Sequence, residues 1–142
     1  MVLQPAEVTL NLAPSRRFDV IEIGDTLDAQ FDGLRRRYRK TLYSSLHTTA
    51  GFLDAALVAR MEHRRDRVGE FFRAFHNVFP QGGLYNHDQL DLREELSVEQ
   101  RRVEPKNGDS HLTFMGSGMR NCVTYRNDPP APVYFIDLDG ES

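Results

Sequence analysis

The longest amphipathic stretch of the chain, residues 52–78, constrains the fold most. Its apolar side chains recur at helical spacing, and one face must therefore be buried against another layer of the protein. A polar interruption at residues 62–67 predicts a bend or a division into two helices. We interpret the apolar stripe as core rather than as a cofactor-binding face; it comprises Leu53, Ala56, Leu57, Met61, Val68, Phe71, Phe72 and Phe75.

Strand patterns lie on both sides of this helical region. Residues 7–12 alternate strictly between polar and apolar, and residues 18–23 form a second strand-like segment after a turn. Together these two segments predict an N-terminal hairpin. Residues 41–46, 121–125 and 133–138 predict three more strands, and a proline-rich loop joins the last two.

Shorter helical signals complete the pattern. One helix is expected to begin at residues 24–26, and another is expected to start at Asn107 or Asp109 and to close at Gly118. The sequence of residues 90–96 predicts at most one turn of helix. Because strands and helices do not alternate as regular βαβ units, the predicted class is α+β, in a single domain over residues 1–142.

Composition and charge exclude several partners. A formal net charge of -3 gives no overall attraction to nucleic acid or to an anionic membrane. No apolar run approaches the ~18 residues needed to span a bilayer, and the N-terminus carries no signal-peptide pattern. The basic run at residues 35–40 is interpreted as a solvated helix end rather than a phosphate-binding patch. We therefore expect neither nucleic acid nor membrane as a partner.

The single cysteine, Cys122, cannot form an internal disulfide, so a reducing cytoplasmic location is expected. Cys122 falls within the strand predicted at residues 121–125, and this placement favours a small core side chain over a reactive thiol.

Three of the five histidines lie in short polar motifs: His47 in residues 47–50, His87 in residues 85–88 and His111 in residues 107–111. Imidazole is the commonest metal ligand and exchanges protons near neutral pH. Three convergent imidazoles would leave one coordination position open, as in catalytic zinc sites. Their separations of 40 and 24 residues follow no local ligand rule, so spacing alone leaves their convergence open. His63 is interpreted as exposed, and His76 as structural or solvated.

Polar neighbours of these histidines could complete such a site. Asp88 and Asn107 are candidates for orienting an imidazole or a phosphate, with Asp109 as a weaker candidate. Thr48 could donate a hydrogen bond to a phosphate. Imidazoles favour zinc and carboxylates favour magnesium, so the residues predict a divalent metal ion, either Zn²⁺ or Mg²⁺.

At these motifs the chain resembles the YjbQ-like family, also called the secondary thiamine-phosphate synthase family. In that family a strand runs into His-Thr-Ser/Thr-Ala, a histidine follows in an acidic loop, and Asn-x-x-Ala-His-Leu heads a helix. Here the matching segments are residues 46–50, 86–88 and 107–112, and their order agrees over roughly the whole chain.

The resemblance implies an α+β fold with a β-sandwich element, an N-terminal hairpin, central helices and C-terminal strands. It also implies a cytoplasmic homotrimer with a histidine-lined site near a subunit boundary and a small phosphorylated molecule as substrate. The implied reaction is thiamine-phosphate synthesis, in which a thiazole phosphate attacks a pyrimidine-methyl diphosphate and pyrophosphate leaves. A divalent ion would stabilise that leaving group.

The chain departs from the family pattern near its C-terminus. The family's Gly-Thr-Trp-Gln segment is missing, and the sequence contains no tryptophan. The chain also stops at Ser142, where the family continues into a further strand, so we expect either a truncated chain or a variant with one strand fewer.

Two other functions stay open at this point. A non-catalytic oligomer that binds a metal or a phosphate would have a closed site with four ligands. A metal-assisted phosphoester hydrolase would need an open metal position and a water molecule, but no pocket for a second substrate.

Overall fold

The computed structural model describes residues 3–140. In chain order the elements are β1 (Asp19–Glu22), α1 (Gly24–Gln30), a 3₁₀ turn (Leu34–Arg37), β2 (Lys40–Ser44), β3 (Ala50–Gly51), α2 (Ala55–Arg60), α3 (Arg65–Val78), two 3₁₀ turns (Asn86–Asp88 and Leu90–Leu92), α4 (Val98–Val103), α5 (Gly108–Ser117), β4 (Cys122–Arg126) and β5 (Tyr134–Asp137). This mixture of helices and antiparallel sheets confirms the predicted α+β class.

The amphipathic stretch divides where its polar interruption predicts. Helix α2 ends at Arg60 and α3 begins at Arg65, with Glu62 and His63 between them at positive φ. Val68 and Phe72 on α3 are completely buried, which confirms that the phenylalanine stripe belongs to the core.

Within the described residues the strands form two antiparallel sheets. The first has the order β1-β5-β3, with Val20 opposite Ile136, and the second pairs β2 with β4. Phe52 and Arg120 exchange two backbone hydrogen bonds of 2.8 Å, which connect the end of β3 to the start of β4. The three-stranded sheet and the β2-β4 sheet are therefore joined through backbone contacts as well as through side chains.

The three-stranded sheet is covered on both faces. One face packs against α2 and α3, and the other packs against α1 and the β2-β4 pair. The first core includes Val20, Leu53, Val58, Val68, Phe72, Ile136 and Leu138, and the second includes Ile23, Leu27, Tyr43, Phe52, Val123, Tyr125 and Val133. The β-sandwich element implied by the family resemblance stays a prediction.

The predicted N-terminal hairpin is wrong. Residues 7–12 form no strand, and β1 pairs with β5 instead. Leu10 and Leu12 still pack against the second core, which explains their alternation without a ladder. On the side of β1 away from β5, the guanidinium Nε of Arg65 donates to the Val20 carbonyl at 2.8 Å. A strand from residues 7–12 would have to bond this same carbonyl, so its position is already taken.

Two further sequence-based interpretations need correction, and one helix was missed. Cys122 is exposed, because Val123 and Tyr125 are the residues of β4 that point inward. Helix α4 was not predicted, although Ser97 and Gln100 form a complete capping box at its start. Arg35, in the basic run expected to be solvated, is buried and donates to Asp28 at 2.9 Å.

No helix within residues 3–140 combines the length and apolar character needed to cross a membrane.

Candidate functional site

Helix α5 carries the third histidine motif and begins inside the protein. Gly108, Asp109 and Ser110 in its first turn are all buried. The Ser110 hydroxyl donates to the Leu138 carbonyl at 3.0 Å, directly after β5. This contact fixes the N-terminal end of α5 against the three-stranded sheet, and His111 one residue later is only partly exposed.

The second histidine motif reaches the same end of α5. Asp88 Oδ1 accepts the backbone N–H of Gly108 at 2.9 Å and lies 3.0 Å from His87 Nδ1. A Cβ on Gly108 would come within 2.8 Å of the Tyr85 Cβ, so glycine is required for this close approach. One carboxylate therefore caps α5 and orients His87 at the same time.

His87 and His111 form a pair, with their ring centroids 4.7 Å apart. Burial, together with the neighbouring His87, lowers the pKa of His111, while the carboxylates of Asp139, Asp88 and Glu104 act in the opposite direction. Burial therefore favours the neutral form of the His111 imidazole. Because a carboxylate only accepts hydrogen bonds, the contact with Asp88 favours the tautomer in which His87 Nδ1 carries the proton, and in that neutral tautomer Nε2 has the lone pair.

A charge network next to the histidine pair holds the first turn of α5 in place. Arg17 donates two hydrogen bonds to Asp109, at 2.9 and 3.0 Å, and its Nε lies 3.4 Å from Asp139 Oδ1. The hydrogen bond to Asp109 is the main cause that raises the pKa of Arg17. Asn107 Nδ2 donates to Asp139 at 2.6 Å, while the buried Asn107 Oδ1 has no partner within the described residues.

The first histidine motif lies beside the end of β5. His47 is exposed, and its carbonyl accepts Asn121 Nδ2 at 2.6 Å. Burial raises the pKa of Asp137, and His47 is near enough to offset part of that rise. The adjacent Thr48 is exposed as well. Within residues 3–140 no group of three His, Cys, Asp or Glu side chains is arranged to hold a metal ion.

The structure thus brings together four of the predicted residues, namely His87, His111, Asp88 and Asn107. His47 and Thr48 do not join them in one ligand group, and the three-histidine metal site stays a prediction. Asp109 is committed to Arg17.

Sequence reasoning missed Arg17 and Asp139. Asp139 and Arg17 lie outside the three histidine motifs, so no local signal marked either residue.

The remaining histidines lie outside this pair. His76 packs edge-on against Phe18 with ring centroids 4.8 Å apart, which confirms its structural interpretation. His63 is half-buried rather than exposed, because its carbonyl accepts the Tyr134 hydroxyl at 2.6 Å in the turn between α2 and α3.

The lowered pKa of His111 predicts a pH-dependent stability. The unfolded chain takes up a proton near the ordinary value of 6.5, whereas folded His111 resists protonation. Stability is therefore full above pH 6.5 and falls as the pH drops through that value, until folded His111 also protonates. Urea unfolding of wild type and His111→Gln between pH 5 and 7.5 measures this contribution. We expect a smaller loss at low pH in the variant, and equal losses would contradict the assignment.

His76 has a lowered pKa for the same main reason, burial. The variant His76→Gln should therefore remove a separate part of the same pH dependence, and the double variant should flatten it further.

Together these features define an α+β protein with two antiparallel sheets in the described residues and a polar site built on a histidine pair. No protein-family model matches the sequence, and no curated protein matches it. Among solved structures, the chain is similar to an uncharacterized conserved protein of the YjbQ/UPF0047 family from Clostridium acetobutylicum. The TM-score is 0.55 at 20% sequence identity, over 92% of this chain and 89% of that chain. The chain therefore has a YjbQ-like fold, as its sequence motifs predict.

Proposed function

We propose that this chain is a divergent YjbQ-type enzyme that acts on a small phosphorylated molecule in a thiamine-phosphate synthase-like reaction. The observation that carries the proposal is the His87–His111 pair, oriented by Asp88, on a YjbQ-like fold. In the reaction, the thiazole nitrogen forms a bond to the methylene carbon of the pyrimidine diphosphate. The carbon–oxygen bond breaks, and pyrophosphate leaves with the electron pair.

A divalent cation at the pair would need a ligand beyond the two imidazoles, because no group of three potential ligands is arranged for a metal within residues 3–140. In the tautomer that the Asp88 contact favours, His87 Nε2 is available as a ligand, and burial favours the neutral form of His111. We propose that these two imidazoles hold the ion, with His47 as a third ligand as the resemblance implies. Bound there, a divalent ion would neutralise charge on the departing pyrophosphate.

The chain's own residues have distinct roles in this proposal. Asp88 fixes the ring of His87 and anchors it to α5. One N–H of the Asn107 amide donates to Asp139, so the second N–H can donate to a phosphate oxygen and the unpartnered Oδ1 can accept from an imidazole or substrate N–H group. Thr48 is exposed and free to donate to a phosphate, and this role is a proposal from its motif.

The setting we propose is a homotrimer in the cytoplasm. Its basis is the resemblance, which places the histidine-lined site near a subunit boundary. An exposed His47 is compatible with a site that is completed only in the assembly.

Pyrophosphate release tests the proposal directly. Purified protein is mixed with the thiazole phosphate, the pyrimidine diphosphate and either Mg²⁺ or Zn²⁺, and pyrophosphate is measured over time. We expect release that requires both substrates and falls by about 100-fold or more in His111→Ala. The control is His76→Gln, which alters an imidazole outside the pair. Release from the diphosphate alone would indicate a hydrolase, and no release by wild type would overturn the proposal.

A further inference from the structure

Two cations lie directly opposite each other on the outer face of the β2-β4 sheet. Lys40 on β2 is the register partner of Arg126 on β4, and both side chains are exposed. Opposed residues of an antiparallel pair lie on the same face, where like charges repel each other. Neither cation has a carboxylate within ion-pair distance in the part of the chain that the structure describes. The sheet therefore carries a like-charge pair that nothing neutralises.

The outer face of this sheet contains no acidic side chain. Its exposed residues are Lys40, Leu42, Ser44, Cys122, Thr124 and Arg126. The adjoining chain adds three exposed cations that form no ion pair within residues 3–140, namely Arg36, Arg37 and Arg39. The carboxylates of residues 32–44 and 122–128 are Asp32 and Asp128. Unpaired cations therefore outnumber carboxylates here even when both aspartates are counted.

The same sheet has an open edge along β2. Within the described residues β2 pairs with β4 alone. The Ser45 N–H donates to the Asn121 carbonyl at 2.7 Å, and the Asn127 N–H donates to the Arg39 carbonyl at 2.9 Å. Because bonded residues alternate along an antiparallel pair, residues 40, 42 and 44 direct their backbone N–H and C=O groups away from β4. These groups are available to another strand.

We propose that the β2 edge binds an extended acidic peptide of a partner protein, which adds to the sheet as a third strand. The backbone groups of residues 40, 42 and 44 pair with the peptide backbone, which supplies the affinity common to all strand additions. Acidic side chains on the outer face of the added strand neutralise the like-charge pair of Lys40 and Arg126. Leu42, which is 66% exposed, provides an apolar contact beside them.

An added strand fits this face better than a nucleic acid does. Single-stranded nucleic acids bind where bases stack on aromatic rings along a cationic groove. The outer face has no aromatic residue, because Tyr43 and Tyr125 are buried on the inner face of the same strands. The peptide site is also separate from the proposed reaction, since this face contains neither histidine of the pair.

Fluorescence anisotropy tests the proposal with a short labelled peptide of alternating glutamate and threonine. At low ionic strength we expect wild type to bind this peptide, and Lys40→Ala/Arg126→Ala to bind it about fivefold or more weakly. Added salt should weaken the wild-type binding, because the charged contacts are exposed. The matched control Arg102→Ala/Lys106→Ala also removes one arginine and one lysine from exposed positions, but outside this sheet, and should bind like wild type.

Two modified peptides separate strand addition from charge attraction alone. N-methylation of alternate backbone amides removes hydrogen-bond donors without changing the charge, and it should weaken binding about fivefold or more. Replacing each glutamate with lysine should abolish binding. Urea unfolding checks the fold of Lys40→Ala/Arg126→Ala, which should be at least as stable as wild type because a repulsive pair is removed.

Several outcomes would overturn the proposal. These are no binding by wild type, equal binding by wild type and Lys40→Ala/Arg126→Ala, equal losses in both double variants, or full binding of the N-methylated peptide. Tighter binding of a single-stranded oligothymidine than of the acidic peptide would indicate a nucleic-acid face instead. An oligomeric state that differs between wild type and Lys40→Ala/Arg126→Ala in sedimentation velocity would assign the face to a second copy of the chain.

Discussion

Replacing Arg17 with alanine should destabilise the fold by about 3 kcal/mol or more. Its guanidinium bonds both oxygens of Asp109, whose side chain is 4% exposed, and lies near Asp139, which is 9% exposed. Removing it leaves two buried carboxylates without their cation, and that uncompensated charge is the main cost. Urea unfolding at pH 7.5 measures the change in the free energy of unfolding.

A matched control is available in Arg64, which pairs with Asp66 at the exposed start of α3. Because solvent screens that pair, Arg64→Ala should leave the free energy of unfolding nearly unchanged. The double variant Arg17→Ala/Asp109→Asn should recover part of the lost stability, since it neutralises one of the two stranded carboxylates. An Arg17→Ala variant as stable as Arg64→Ala would show that the network does not support α5.

Truncating Phe72 to alanine should cost about 3–5 kcal/mol. Phe72 is completely buried and contacts Phe18 and Phe71, at ring-centroid distances of 5.8 and 5.3 Å. The truncation removes an aromatic ring between α3 and the sheet and leaves a cavity there. Thermal and urea unfolding report the loss. Val78→Ala on the same helix is the control, because Val78 is 67% exposed, and it should change stability by less than about 0.5 kcal/mol. Comparable effects of the two variants would contradict the core assignment.

Local sequence patterns were sufficient to predict elements whose hydrophobic pattern lies within one segment of the chain. Helix α3 is long and its apolar stripe is regular, so both its extent and its buried face could be predicted. The division before Arg65 followed from a run of polar residues. The capping box at Ser97 is also visible in the sequence. Helix α4 was nevertheless missed because it has only six residues and no buried side chain.

Pairing between distant segments could not be derived in the same way. Alternation in residues 7–12 indicates one apolar face but does not identify a pairing partner, and β5 occupies the inner edge of β1. Cys122 was misplaced because the inward face of a strand depends on a register that sequence alone leaves undetermined. Arg17 and Asp109 are separated by 92 residues, so no local motif links them.

The histidine pair was predictable only through its flanking motifs. His87 and His111 share no ligand spacing, and it was the matched order of the motifs that brought them together as candidates. Their contact depends on Gly108, whose lack of a side chain lets residues 85–88 approach α5. His47 belongs to the same set of motifs, yet its exposed position leaves its role to experiment.

Zinc titration of purified protein tests the central claim most directly. We expect wild type to bind Zn²⁺, with affinity lowered about 100-fold or more in His87→Ala and in His111→Ala, and unchanged in the control His76→Gln. A similar loss in His47→Ala would extend the site to three histidines. Unchanged affinity in both pair variants would contradict the claim that His87 and His111 form a metal site.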